Sequence, residues 1–126
     1  MRAVDTNVLI RLVTRDDARQ VARAEAFVDK GAWVSLLVLA ETAGVLTTVY
    51  ELRPAALARM MEMLLDHDKL TLEQPDAVGA ALAQFRRRPA VGFSDCLILE
   101  IARKAGHAPL GTFDRKLGSL LGAERL

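Results

Sequence analysis

Hydrophobic and polar positions along the chain alternate between short apolar runs and longer stretches in which apolar residues recur every three or four positions. The short runs have the pattern of buried strands, and they lie at 2–5, 32–35, 69–73 and 109–112. The longer stretches predict helices, at 6–15, 17–30, 36–51, 54–66, 76–88, 94–105 and 114–121, with a possible edge strand at 124–126.

Strands and helices alternate from one end of the chain to the other, without repeats, low-complexity tracts or a linker. This order predicts one α/β domain over residues 1–126, with a parallel sheet and helices on both faces. Ligands of such sheets bind beyond the carboxyl ends of the strands. Polar side chains at those ends are therefore the first candidates for a functional site.

Four carboxylates occupy such positions. Asp5 ends the first strand, and Asp114 follows the fourth strand by one residue. Glu41 lies in the first turns of the helix after the second strand, and Asp95 lies at the start of the sixth helix. Strand ends and the starts of the following helices share one edge of a parallel sheet, so we expect these four acids to converge.

Each aspartate of this set has a simpler interpretation, because Asp is common at helix N-caps. Asp5, Asp95 and Asp114 could each be such a cap. Glu41 is different, because it sits in a long apolar stretch where a buried charge is costly without a partner. We therefore expect Glu41 to be buried, and the four acids to form a site.

Converging carboxylates repel one another unless a cation or protons neutralise them. Ligands that are all oxygen favour Mg²⁺ or Mn²⁺ over zinc. Such an ion can activate a water for in-line attack on a phosphodiester. The acidic set therefore predicts metal-dependent phosphodiester hydrolysis, with either one or two ions.

The net charge of +1 conceals a basic surplus. Without the four candidate acids the chain has 17 basic and 12 acidic side chains, a balance that attracts phosphates. Arg86, Arg87 and Arg88 precede the Asp95 segment and are predicted to bind the phosphates of a nucleic acid. The alternative is a solvated helix end, which the helix dipole favours.

The remaining chemistry is sparse. A single cysteine, Cys96, excludes an internal disulfide framework and a cysteine zinc site, and we expect it to be a packing residue. His67 and His107 are expected at the surface. No apolar run reaches the roughly 18–20 residues that span a membrane, and the first residues do not form a signal peptide. We expect a cytoplasmic protein.

Three segments and a fourth, looser one resemble the motifs of PIN-domain nucleases. The stretch AVDTNVLI at 3–10 resembles the opening strand motif of that family, and FSD at 93–95 its third acidic motif. The stretch GTFDRKL at 111–117 resembles the fourth motif, and VS at 34–35 followed by LAE at 39–41 the second. The small single-domain form resembles the VapC-type toxins of bacterial toxin–antitoxin pairs.

This resemblance implies a three-layer α/β/α fold with a central, mainly parallel sheet of four or five strands. It also implies cleavage of RNA that depends on Mg²⁺ or Mn²⁺, inhibition by a small antitoxin protein, and a homodimer. Asp5, Glu41, Asp95 and Asp114 match the metal-site acids of the family. A further group matches polar positions that orient acids or metal-bound water, namely Thr6, Asn7, Ser94 and Thr112.

Other functions remain open at this point. A structure-specific DNA nuclease could use the same acids, and so could a phosphatase. An aspartyl phosphatase, however, usually has a second Asp two residues after the first, where this chain has Asn7. A PIN-like binding module without catalysis is the third alternative. A group of residues rich in methionine could form a contact surface or ordinary core, namely Tyr50, Leu52, Met60, Met61 and Met63.

Overall fold

A sheet of three short parallel strands organises the first part of the computed structural model, which describes residues 1–126. The strands are β1 (Arg2–Ala3), β2 (Ala32–Val34) and β3 (Leu70–Leu72), in the spatial order β1-β2-β3. Ala3 pairs with Trp33, and Trp33 pairs with Thr71. Because all strands are parallel, their carboxyl ends lie at one edge of the sheet.

The chain divides into two compact units, Met1–Pro75 and Asp76–Leu126. The helices of the first unit are α1 (Thr6–Thr14), α2 (Ala18–Val28), α3 (Leu36–Thr48) and α4 (Pro54–Asp66). Helix α1 packs against the other three helices, and α4 packs against β3. The side chains of Leu9, Leu46 and Met61 are fully buried and form part of the core.

The helices of the first unit begin where the sequence offers a cap. The side chains of Asp5, Asp17 and Ser35 each accept a backbone N–H of the following turn. Pro54 occupies the first turn of α4, where a missing N–H costs nothing. Arg15 adopts a left-handed conformation with φ of 55°, which ends α1 before α2 begins.

The second unit contains two helices and a pair of strands. Its elements are α5 (Pro75–Arg87), a 3₁₀ turn (Pro89–Val91), α6 (Phe93–Lys104), β4 (Leu110–Thr112), a second 3₁₀ turn (Leu117–Ser119) and β5 (Ala123–Arg125). Strands β4 and β5 are parallel, with Leu110 opposite Ala123. The rings of Phe85 and Phe93 meet edge to face, with centroids 6.1 Å apart.

The predicted alternation of strands and helices is confirmed, and so is the parallel arrangement. The five strands are hydrogen-bonded as one sheet of three and one sheet of two. A single domain over residues 1–126 stays a prediction. The prediction of a helix over 114–121 is wrong, because only residues 117–119 are helical, as a 3₁₀ turn. Leu120 is already extended there, because the chain turns to bring Ala123 opposite Leu110.

No helix in the structure combines the length and the apolar character needed to cross a bilayer.

Candidate functional site

Asp5 lies two residues after the end of β1 and is the N-cap of α1. Its Oδ1 accepts the backbone N–H of Val8 at 3.3 Å, so the carboxylate is a helix cap. A carboxylate has two oxygens and about four acceptor positions. Because the cap occupies only one of these positions and the side chain is exposed, Asp5 remains able to bind a cation.

Glu41 is exposed on α3, and the expectation that it is buried is wrong. Leu39, Ala43 and Leu46 point into the core, whereas Glu41 shares the exposed face with Leu37, which is 77% exposed. The buried polar residue of this helix is the neighbour, Thr42, whose hydroxyl donates to the carbonyl of Val38. Glu41 is therefore a solvent-accessible acid early in the helix that follows β2.

The first unit has a further acid at the edge of its sheet, Glu73, which was not among the predicted site residues. It follows β3 directly, and its backbone N–H donates to the carbonyl of Val34 at 2.8 Å. Its half-buried side chain accepts the N–H of Leu36 at 2.8 Å, beside the cap formed by Ser35. The rule that selected Asp5, an acid at the end of a predicted strand, would have found Glu73 too, because the third predicted strand ends at residue 73.

In the second unit, Asp95 lies in the first turn of α6 and is not a helix cap. The N-cap is Gly92, which has a φ of 91° and no side chain to accept a hydrogen bond. Partial burial raises the pKa of Asp95 above the usual range, and the negative charge of Asp114 raises this pKa further. The second unit therefore brings these two carboxylates within electrostatic reach of each other.

Asp114 is exposed and begins a short turn after β4. Its Oδ1 accepts the N–H of Leu117 at 2.8 Å, and its own N–H donates to Oγ1 of Thr112 at 3.0 Å. The cap interpretation is thus correct for Asp5, whereas Asp114 holds the turn before the short 3₁₀ segment, whose N-cap is Lys116. Thr112 restrains the backbone of Asp114, in agreement with a role in orienting this acid.

The other polar candidates differ in exposure. Thr6 is buried, Ser94 is half-buried, and Asn7 is exposed in a pocket of about 370 Å³ between α1 and α2. In the arginine run, Nη2 of Arg87 donates to Gln84 at 2.6 Å, and Nη2 of Arg88 donates to Ser119 at 2.8 Å. All three arginines of the run are exposed, so their remaining donors can reach a ligand.

The chemistry of the candidate acids fits a hard divalent cation. All are carboxylates, and the mutual repulsion of Asp95 and Asp114 is a charge imbalance that a cation relieves. Neither unit by itself contains a group of three or more histidine, cysteine, aspartate or glutamate side chains that could hold a metal ion. Asp5 and Glu41 belong to the first unit, Asp95 and Asp114 to the second.

The cysteine, the histidines and the methionines do not add to the group of candidate metal-site residues. Cys96 is fully buried, and burial is the main cause that raises its pKa to about 11, which agrees with a packing role. His107 is exposed, and Nδ1 of the partly exposed His67 accepts the N–H of Lys69. Met61 belongs to the core, whereas Met63 is 53% exposed.

Comparison with protein-family models matches residues 2–120 to the family described as PIN domain. The matched range contains all four candidate acids. No curated protein and no solved structure matches the chain at a significant level.

Proposed function

The chain belongs to the PIN domain family, and on that basis we propose that it is a Mg²⁺- or Mn²⁺-dependent endoribonuclease. Its six helices and parallel strands agree with the three-layer α/β/α class of that family, whose fold is of the nuclease type. PIN domains are in general metal-dependent nucleases. The observation that carries the proposal is the match of residues 2–120 to the PIN domain family, a range that contains all four candidate acids.

In this proposal Asp5, Glu41, Asp95 and Asp114 hold the metal. A bound divalent ion would supply a nucleophilic water at neutral pH and stabilise charge on a phosphate oxygen. The protein's part is to orient the acids. The hydrogen bond from the N–H of Val8 orients Asp5, and the hydrogen bonds with Leu117 and Thr112 orient Asp114.

The proposed substrate contacts are polar and basic. Thr6, Asn7, Ser94 and Thr112 would orient acids or water, or contact the substrate. Exposed guanidinium groups of Arg86, Arg87 and Arg88 would bind phosphates in a way that weakens as the salt concentration rises.

We further propose that the protein is the toxin of a type II toxin–antitoxin pair, acting in the cytoplasm as a homodimer and inhibited by a small antitoxin. The resemblance of the four acidic motifs to those of VapC-type toxins supports this role. The exposed Met63 beside the half-buried Met60 adds an adaptable apolar surface on α4, which suits contact with a protein.

The test is cleavage of single-stranded RNA by the purified protein with Mn²⁺, with Mg²⁺ and with EDTA. Asp95→Asn is expected to lower the rate by at least about 100-fold, because even loss of a group that only orients a metal ligand typically costs roughly 10- to 100-fold. Without metal this variant is expected to unfold at the same or a higher temperature, because a repelled carboxylate is removed.

The matched control is Asp29→Asn, which neutralises an exposed aspartate just after α2 and is expected to cleave like the wild type. A DNA strand of the same sequence tests the choice of RNA. Equal cleavage of RNA by the wild type and Asp95→Asn would refute the metal-site assignment. Cleavage of DNA alone would refute the ribonuclease assignment while keeping the nuclease.

A further inference from the structure

Hydrogen bonds within one short turn fix the direction of Asp114. The Oδ1 of Asp114 accepts the N–H of Leu117 at 2.8 Å, and the carbonyl of Asp114 accepts the N–H of Gly118 at 2.9 Å. Leu117 is buried, whereas Asp114 is exposed. The orientation of the exposed carboxylate therefore depends on how firmly residues 117–119 are held.

Arg88 reaches this turn from the end of α5. Its Nη2 donates to Oγ of Ser119 at 2.8 Å, and the same hydroxyl donates to the carbonyl of Lys116 at 2.7 Å. A serine hydroxyl has one proton to donate and two lone pairs that accept. Ser119 therefore makes both contacts at once and connects the guanidinium to the backbone of the turn.

Strand β5 restrains the same turn by direct packing. A Cβ added at Gly118 would lie 2.7 Å from Cβ of Arg125, so any side chain at this position would require the turn or β5 to shift. The turn thus has two external restraints, backbone packing against β5 and the hydrogen bond from Arg88. Only the second can be removed by a substitution that introduces no clash.

We propose that Arg88 is a positioning residue for the nuclease reaction, because through Ser119 it fixes the turn that directs the Asp114 carboxylate. The inference rests on the proposed function, in which Asp114 is a metal-site acid. Groups that orient metal ligands typically change metal affinity roughly 10- to 100-fold when they are removed. Arg88 acts one contact further out, so we expect a weakening of about three- to tenfold.

The variant Arg88→Met distinguishes two roles of Arg88, because an electrostatic role and a positioning role predict opposite changes in Mn²⁺ affinity. Removing a cation reduces the repulsion of Mn²⁺, so a purely electrostatic role predicts tighter Mn²⁺ binding. Loss of positioning predicts weaker binding. Ser119→Ala removes the acceptor without a change in charge and is expected to weaken binding by the same factor. Because both variants break one contact, the double variant should bind no more weakly than either single variant.

The experiment is calorimetric titration of Mn²⁺ into the wild type and these three variants, with two controls. Ser119→Thr keeps the hydroxyl and is expected to bind Mn²⁺ like the wild type. Arg115→Met removes an exposed cation next to Asp114 whose side chain makes no hydrogen bond or ion pair, and is expected to bind equally or more tightly. Unchanged or tighter binding by Arg88→Met would overturn the proposal.

A second measurement does not need the metal. Hydrogen exchange of the Leu117 amide, which donates to Asp114, should be faster in Arg88→Met and Ser119→Ala but not in Arg115→Met. If the wild type binds no Mn²⁺, the proposed function fails, and an unchanged Leu117 amide overturns the positioning role by itself. Weaker RNA binding in Arg88→Met with full Mn²⁺ affinity would instead assign Arg88 to the phosphates.

Discussion

Asp5 and Asp114 each use one carboxylate oxygen to hold the start of a helical turn. The two interpretations of an acid at a helix start, a cap or a metal ligand, therefore do not exclude each other. A cap fixes the direction of the carboxylate and leaves its second oxygen available. In the proposed metal site, the same hydrogen bond that stabilises the fold would also orient the side chain for a cation.

Substitution of Asp5 separates these two roles. Asparagine caps helices about as well as aspartate, so Asp5→Asn should change the free energy of unfolding by less than about 0.5 kcal/mol. Asp5→Ala should cost about 1 kcal/mol, because the N–H of Val8 loses its acceptor. Both variants should lose metal-dependent RNA cleavage. Urea unfolding and a cleavage assay on each variant measure the two effects, and a retained activity in Asp5→Asn would contradict the assignment.

Glu41 illustrates the limit of sequence analysis for a single residue. The residues around it are apolar on nearly every side of α3, from Leu36 to Ala40, so the spacing does not define one buried face. Packing decides that face, and it buries Thr42 while leaving Glu41 in solvent. The position of Glu41 after β2 could be predicted, but its exposure could not.

The starts of the helices could be predicted from local chemistry. Asp17 and Ser35 cap the helices that follow them, and Pro54 begins α4. These signals act within one turn, so they do not depend on the rest of the fold. The prediction of a helix over 114–121 failed because the pairing of β4 with β5, which is distant in sequence, ends the helical turn after three residues.

The contact of Glu73 with the start of α3 gives a prediction for that helix. Glu73→Ala leaves the half-buried N–H of Leu36 without its acceptor and should lower the free energy of unfolding by about 1–2 kcal/mol. Glu73→Gln keeps an acceptor oxygen and should cost less. Urea unfolding measures both variants, with the exposed Glu124→Ala as control. Equal stability of Glu73→Ala and the wild type would show that the contact contributes nothing.

The loop between α1 and α2 is hydrogen-bonded to Tyr50, which lies just after α3. The hydroxyl of Tyr50 donates to Oδ2 of Asp16 at 2.9 Å, and this hydrogen bond is the main cause that lowers the pKa of Asp16. Because the folded-state pKa is depressed, the stabilisation is present above about pH 4 and is lost as the pH falls through the folded-state value.

Tyr50→Phe should therefore be less stable than the wild type at pH 7, and the difference should shrink as the pH falls below about 4. Thermal unfolding of both proteins from pH 7 to pH 2.5 measures this convergence. A difference that stays constant over the whole range would show that Tyr50 contributes by packing and not through Asp16.

For the whole molecule, the fold class can be predicted from the alternation of strands and helices along the sequence. The positions of the candidate acids can also be predicted, but not which of them interact. The sequence places the four acids at strand ends and helix starts. Which carboxylates interact depends on loop conformation, as in the turn of residues 117–119 that Arg88 holds. Arg88 was predicted as a phosphate ligand or as part of a solvated helix end, because a hydrogen bond to a residue 31 positions away leaves no local signal in the sequence.

Metal binding should stabilise the whole protein if the acids bind an ion only when folded. Mn²⁺ at about 100 times its dissociation constant adds about 2.7 kcal/mol, which raises the unfolding temperature by roughly 10 °C. The shift should vanish on addition of EDTA and shrink in Asp114→Asn. Thermal scans at increasing Mn²⁺ measure it, and an equal shift in Asp114→Asn would exclude this acid from the metal site.

The contact of Gly118 with Arg125 has a consequence for genetics. If the protein is a toxin as proposed, a growth selection for inactive variants is expected to return substitutions at position 118 as well as substitutions of the four acids. Every substitution there forces the turn away from β5, since even alanine brings its Cβ within 2.7 Å of Cβ of Arg125. If no substitution of Gly118 is tolerated, the reason would be that this residue holds the turn that orients the Asp114 carboxylate, four positions earlier in the chain.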